Sequence, residues 1–134
     1  MSDPIEVGQC MIVQGDNMET LRLMPDNSVQ CVVTSPPYFG LRDYGVEGQL
    51  GLEKTPEQYV ATMVALFREV KRVLRDDGTL WLNLGDSYAN DGKWGGSTGG
   101  KHVSALHNSS VGRGKRDTGL KPKDLIGIPW RVAF

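Results

Sequence analysis

Cysteine is scarce in this chain: Cys10 and Cys31 are the two in 134 residues. Two cysteines without metal-type spacing exclude a disulfide-stapled secreted scaffold and give no zinc signature. Each lies in an apolar strand-like run, Cys10-Met11-Ile12-Val13 and Cys31-Val32-Val33, so buried free thiols in a reducing compartment are expected. Charge of one sign is also lacking. Fifteen Lys and Arg stand against sixteen Asp and Glu, a net charge of −1, so the total supplies no basic field of the kind that holds nucleic acid. Long apolar runs are missing as well, with none near the ~20 residues that span a bilayer. The start Met1-Ser2-Asp3-Pro4 has neither the positive region nor the apolar core of a signal peptide. A cytoplasmic protein is expected, of a length that suits one domain. No segment repeats at a fixed period.

What is present reads as alternating strands and helices. Residues 10–14 form a short β-branched run that ends at Gly15-Asp16. Met18, Leu21, Leu23 and Met24 then fall at helical spacing until Pro25-Asp26-Asn27 stops them. Val29 to Thr34 is nearly all apolar, the pattern of a strand covered on both faces in a parallel sheet. The order strand, helix, strand with short connections predicts a βαβ unit. A glycine-bearing loop follows over residues 39–51. Thr55-Pro56-Glu57-Gln58 next sets an N-cap, a first-turn proline and a capping-box glutamine. Beyond it Tyr59, Met63, Phe67, Val70 and Leu74 recur every three or four residues, widened by Val60 and Val64, which predicts a helix ended by Gly78. Thr79 to Leu84 predicts a further strand.

Residues 86–119 lack any apolar period and are rich in Gly, Ser, Asn and Lys, so a long flexible loop is expected there. Lys93, Lys101, Arg113, Lys115, Arg116, Lys121 and Lys123 crowd into this later part, either as a DNA-contacting segment or as a solvated face. His102 and His107 have no acidic or cysteine partners nearby, so no metal site is expected. Leu125, Ile126, Ile128, Trp130, Val132 and Phe134 close the chain in an apolar run with no polar tail, the pattern expected of a truncated domain.

The chemistry centres on Ser35-Pro36-Pro37-Tyr38, directly after an apolar strand. Ligands of open α/β sheets bind beyond the carboxyl ends of strands. Two successive prolines hold φ near ~−65° and remove two donors, which stiffens the turn and turns its carbonyls outward. Ser35 adds a hydroxyl, and Tyr38 adds a ring of the kind that stacks on an extruded base. From the residues alone this is either a rigid acceptor site for an amino group on a planar ring or a strand-ending turn with a packed tyrosine.

Thr34-Ser35-Pro36-Pro37-Tyr38 resembles the catalytic motif of the amino-methylating DNA methyltransferases. The likeness extends to Gly15-Asp16, to residues 23–29, to Phe39-Gly40-Leu41-Arg42-Asp43-Tyr44, to residues 73–78 and 80–88, and to residues 119–125. Their order resembles the N-terminal part of the circularly permuted, beta-class-like branch, in which the catalytic half precedes the cofactor half. The resemblance implies a partial Rossmann-like α/β fold over residues 1–134, with about three parallel strands, flanking helices and an incomplete sheet. It implies transfer of methyl from S-adenosylmethionine to cytosine N4, favoured by Ser at position 35, or to adenine N6, in site-specific DNA modification of the restriction-modification kind.

At the matched positions, Ser35 and the Pro36 carbonyl would take the two hydrogens of the target amino group on the rigid Pro36-Pro37 turn. Tyr38 would stack on the flipped base. Asp16 and Thr34 match positions near the cofactor, Asp16 also suiting an ordinary turn. Arg42 and Tyr44 lie in a loop suited to base or phosphate contact, joined by Lys93, Arg113, Lys115 and Arg116 as DNA-binding candidates. Asp86 closes a second strand and either faces the pocket or caps the turn after it. Gly95-Gly96-Ser97-Thr98-Gly99-Gly100 neither follows a strand nor opens a helix, so the family's glycine-rich cofactor loop has no match here. The expected partners are DNA and either a missing C-terminal half or a second chain. The chain alone is expected to be inactive, the alternatives being a decayed DNA-binding remnant or one half of a split enzyme.

Overall fold

The computed structural model describes residues 4–89 and 118–134, and its contacts divide the chain into two compact units. The first comprises Met1–Thr34 with Val64–Leu82, the second Ser35–Met63 with Asn83–Phe134.

The first unit holds two small sheets. Strands β1 (Ile5–Val7) and β2 (Cys10–Ile12) pair antiparallel as a hairpin turned at Gly8, whose φ of +61° suits a residue without a Cβ. β2 therefore does not join the parallel sheet predicted for it. Helix α1 (Asn17–Leu23) follows, capped by the Asp16 carboxylate, which accepts from the Met18 and Glu19 amides at 2.7 and 3.2 Å. Strand β3 (Val29–Thr34) pairs in parallel with β4 (Leu74–Leu82), the two being joined through helix α2 (Pro56–Val73). That is a βαβ crossover, one element later than the sequence pattern predicts. The architecture is mixed α/β with one parallel pair rather than about three parallel strands.

The register of β3 and β4 breaks once: Val29 pairs with Leu74, and Cys31 already with Thr79. The extra residues of β4 form a tight excursion through Arg75–Gly78, where a Cβ on Gly78 would lie 2.9 Å from the Arg75 carbonyl oxygen. Gly78 thus serves this bend, and α2 ends five residues earlier, at Val73, because Leu74 already belongs to the ladder.

The start of α2 follows its sequence signals. Thr55 Oγ1 accepts from the Gln58 amide at 3.2 Å, and Gln58 Oε1 accepts from the Lys54 amide at 3.1 Å. Its buried stripe runs Tyr59, Met63, Leu66, Val70 and Val73, so Leu66 and Val73 replace the expected Phe67 and Leu74. Spacings of four and three keep that stripe straight along the helix, whereas Phe67 sits about a quarter turn round and is half-buried. Arg72 ties α1 to the same unit. Its guanidinium donates to the Leu21 and Met24 carbonyls at 2.7 and 3.0 Å and pairs with Asp26 and Glu69, so one cation closes the orphan carbonyls of a helix end.

The parallel pair is not covered on both faces. Val33 and its register partner Trp81 are 79% and 66% exposed, and Cys31 and Cys10 are exposed rather than buried. Alternation is the reason: successive residues point to opposite faces, and no layer of the first unit covers the one that carries Cys31 and Val33. Among the described residues, no helix is long and apolar enough to cross a membrane.

In the second unit, the backbone of residues 87–89 runs antiparallel to residues 123–126. Ala89 donates to the Asp124 carbonyl at 2.8 Å, Lys123 to the Ala89 carbonyl at 2.8 Å and Ile126 to the Ser87 carbonyl at 2.9 Å. Helix α3 (Ile128–Ala133) follows, with Pro129 in its first turn. Gly127 and Pro129, which weaken a helical pattern when read as interior residues, instead start the helix. Phe39, Tyr59, Ala89, Ile126 and Ile128 are buried here.

Candidate active site

The Ser-Pro-Pro-Tyr turn lies at the head of the second unit, directly after the last residue of β3. Ser35, Pro36, Pro37, Tyr38, Leu41, Arg42 and Tyr44 line an open pocket of about 300 Å³. That is the lower end of the ~300–1,000 Å³ usual for small-molecule sites. The four catalytic candidates and two of the DNA-binding candidates are therefore brought together.

Which acceptors of the turn are free of internal partners follows from its hydrogen bonds. The Pro37 carbonyl accepts from the Tyr59 hydroxyl at 2.8 Å. The Tyr38 carbonyl accepts from the Leu41 amide at 3.3 Å, and the Phe39 carbonyl from Ser87 Oγ at 2.8 Å. Among the described residues, neither Ser35 Oγ nor the Pro36 carbonyl has a hydrogen-bond partner. Two adjacent acceptors are left open on a turn whose next three carbonyls are tied down. Since a proline follows each, neither Ser35 nor Pro36 is followed by an amide hydrogen that would compete for them.

The turn is braced from beneath. Tyr59 is fully buried, its ring 5.5 Å from that of Phe39 at a tilt of 51°. Burial pushes its phenol up to about 12, with Glu53 and Tyr38 adding smaller effects in the same direction. Tyr59 is thus a neutral donor at any physiological pH. Gly51, at φ +94°, lies so close that a Cβ would fall 2.9 Å from the Tyr38 carbonyl oxygen, and its own carbonyl accepts from the Gly40 amide at 2.7 Å. Here glycine is required both by conformation and by close approach.

The loop bearing Arg42 and Tyr44 is held by Gln49. Its Oε1 accepts from the Tyr44 amide at 2.6 Å, and its Nε2 donates to the Arg42 carbonyl at 3.0 Å. Asp43 Oδ1 accepts from the Gly45 amide at 2.7 Å. The backbone is fixed while the side chains of Arg42 and Tyr44 stay exposed, which suits groups that meet a ligand.

Asp86 caps backbone amides. Its Oδ1 accepts from the Ser87 and Ile128 amides at 2.8 and 2.9 Å and its Oδ2 from the Gly127 amide at 2.9 Å. All three contacts satisfy backbone donors, and two of them lie at the start of α3. The cap reading holds for the neighbouring Ser87 amide and extends to a helix about forty residues onward.

The cofactor candidates lie in the first unit. Asp16 is the N-cap of α1, and Thr34 is half-buried at the end of β3, paired with Leu82. Lys93, Arg113, Lys115 and Arg116, with His102, His107, Trp94 and the Gly95–Gly100 stretch, lie outside the described residues. Among the described residues no cluster of His, Cys, Asp and Glu can hold a metal ion.

Tyr59, Gln49 and Ser87 are the residues that sequence reasoning missed. Tyr59 had a signal only as an apolar stripe member, and a phenol on a buried stripe needs a polar partner. The others had none, because their partners are between 5 and 48 positions away.

A family model described as DNA methylase, of the N6 and N4 methyltransferases, matches residues 29–126. The chain is 47% identical over 135 residues to the type II methyltransferase M.Cfr9I of Citrobacter freundii, covering 99% of this chain and 43% of that protein. It is 50% identical over 134 residues to the type II methyltransferase M.XycI of Xanthomonas campestris pv. cyanopsidis, and 48% identical over 125 residues to M.SmaI of Serratia marcescens. These alignments cover 98% and 93% of this chain, and 43% and 42% of the relatives. The chain therefore spans less than half the length of the curated relatives it matches. No solved structure matches it. With the family model covering the Ser-Pro-Pro-Tyr turn and its braces together, the chain belongs to the N6/N4 DNA methylase family.

Proposed function

We propose that this chain carries the base-binding, catalytic part of a site-specific type II DNA methyltransferase, one that methylates an exocyclic amino nitrogen, cytosine N4 in preference to adenine N6. The observation that carries the reading is the pair of open acceptors, Ser35 Oγ and the Pro36 carbonyl, on a turn whose following carbonyls are bound internally.

An amino group on a heteroaromatic ring is a poor nucleophile, because its lone pair is delocalised into the ring. Ser35 Oγ and the Pro36 carbonyl each accept one of its N–H bonds, which localises the lone pair on nitrogen and orients it. The stiffness of Pro36-Pro37 and the Tyr59 brace keep those two acceptors in place without reorganisation. Tyr38 stacks on the extruded base, and Arg42 and Tyr44 meet the base or the neighbouring phosphate. S-adenosylmethionine, when bound, would supply an electrophilic methyl group, its S–CH3 bond breaking to leave the neutral thioether. After transfer the nitrogen sheds one proton through its acceptors to solvent. No covalent bond to the protein forms, so neither Cys10 nor Cys31 takes part.

The donor-binding part is not assigned to the described residues. In them no short glycine-rich turn runs directly from a strand into a helix, the glycines of residues 39–51 belonging to the long loop between β3 and α2, and the Asp16 carboxylate already caps α1. This supports a chain that is inactive alone and completed by further polypeptide, within a partial Rossmann-like methyltransferase fold; the cytoplasm is its proposed location.

The test is methyl transfer from labelled S-adenosylmethionine to plasmid DNA, with the modified nucleosides resolved by mass spectrometry. The chain alone is expected to be silent. Joined to the non-matching remainder of the Citrobacter relative, it is expected to yield N4-methylcytosine. N6-methyladenine would move the base preference, and 5-methylcytosine would remove the mechanism.

A further inference from the structure

Gly85 follows β4 by three residues, and it is a position where a side chain does not fit. A Cβ built on it would lie 2.6 Å from Cε2, 3.0 Å from Cδ2 and 3.3 Å from Cζ of Tyr38. Carbon atoms at optimal contact stand ~3.5–4.0 Å apart, so the Tyr38 ring rests directly on the Gly85 backbone. Conformation is not the reason for glycine here, because Gly85 is not among the glycines with positive φ. The missing side chain serves the ring and not the turn.

The neighbours of Gly85 prevent its backbone from yielding. Ser87 Oγ is bound to the Phe39 carbonyl at 2.8 Å, and the Asp86 carboxylate holds the Gly127 and Ile128 amides at 2.9 Å each. Residues 85–87 thus form a pinned segment that touches Tyr38 through its ring and Phe39 through its carbonyl. Tyr38 lines the pocket and Gly85 does not, so the glycine backs the ring from outside the pocket.

We infer that Gly85 is a positioning residue, the bare backbone floor that fixes the plane of Tyr38 as a stacking platform for the target base. The inference rests on the reading of Tyr38 as that platform. With the floor pinned through the two residues that follow it, an added methyl group turns the ring rather than the loop. Stacking between parallel faces is then lost, while the acceptors at Ser35 and Pro36 stay where they are.

The experiment uses the 134-residue chain and a short single-stranded oligonucleotide carrying one 2-aminopurine, whose fluorescence is quenched on stacking. Wild type, Gly85→Ala, Tyr38→Ala and the double variant are titrated at a temperature where circular dichroism shows all four folded. Gly85→Ala is expected to weaken quenching by about tenfold, within the ~1–3 kcal/mol that stacking on one aromatic side chain contributes. In the Tyr38→Ala background it is expected to change nothing. Equal losses in both backgrounds would show that Gly85 acts on something other than the ring, and would overturn the inference. A second readout is the Gly85 α-proton resonance of the free chain, displaced by the Tyr38 ring current and expected to return on Tyr38→Ala. If that displacement is absent, the floor itself is wrong. If it is present but wild type shows no quenching, Tyr38 is not a platform, and the base-stacking reading falls together with the role of Gly85.

Discussion

The hydroxyl of Tyr59 donates to the carbonyl of Pro37 at 2.8 Å across 22 positions of sequence, joining the first turn of α2 to the second proline of the Ser-Pro-Pro-Tyr turn. Its removal in Tyr59→Phe keeps the ring against Phe39 and leaves a part-buried carbonyl unpaired. The expected cost is about 1–2 kcal/mol, read as a lower urea midpoint with an unchanged slope. No change in midpoint would show that the turn holds itself.

The burial of the same phenol predicts a pH dependence. The folded phenol stands at about 12 against an ordinary value of 10, so its contribution is complete below pH 10. As pH rises from 10 towards 12 the unfolded chain gives up a proton that the folded chain keeps, and stability falls. The full effect is on the order of 2–3 kcal/mol. Urea midpoints at pH 8, 10 and 11.5 should fall more steeply for wild type than for Tyr59→Phe. Parallel profiles would rule out Tyr59 as the source.

On the acid side the effect is small. Its hydrogen bond with Arg131, at 2.7 Å, lowers the Glu57 carboxyl below its ordinary range. That contribution is present above the ordinary value of 4.5 and is lost as pH falls through the lowered one. The pair is exposed, so Glu57→Gln is expected to shift stability by less than about 1 kcal/mol. A larger loss in thermal melts at pH 7 would contradict this.

Asp86→Ala removes acceptors from the amides of Ser87, Gly127 and Ile128. A loss of about 2–4 kcal/mol is expected, together with faster hydrogen exchange at the Gly127 and Ile128 amides. Unchanged exchange there would refute the cap.

Ser35→Ala, made in the chain once completed by its remaining polypeptide, is expected to lower the methylation rate by about 10²–10³ with little change in DNA affinity, since it removes one preorganised contact to the amino group. A rate within about threefold of wild type would remove Ser35 from the chemistry.

Local signals in the sequence proved readable where a few neighbouring residues decide the outcome. Asp16 and Thr55 start the helices next to them, Pro25 ends α1, and the Pro36-Pro37 pair stiffens its own turn. Pairing between strands was less legible. β2 looks like a sheet strand, yet Ile5–Val7 captures it across a two-residue turn, because a hairpin closes a shorter loop than a crossover does. The bend through Gly78 resembles a helix end for a similar reason, since glycine marks both, and only the Val29–Leu74 pairing separates them. The long-range partners of the site's supports were not legible. Ser87 reaches Phe39 across 48 positions and Asp86 reaches Ile128 across 42, distances over which no spacing rule operates.

The outward-facing pair Val33 and Trp81 changes how the isolated chain will behave in the hands of an experimenter. A dye such as ANS lights up on exposed apolar surface, and strong binding is commonly taken as the mark of a molten state. Here the well-ordered protein offers such a surface as part of its native sheet. Dye fluorescence at room temperature is therefore a property of the folded chain, and melting must be followed by a signal from the buried side chains, such as the near-ultraviolet absorption of Tyr59.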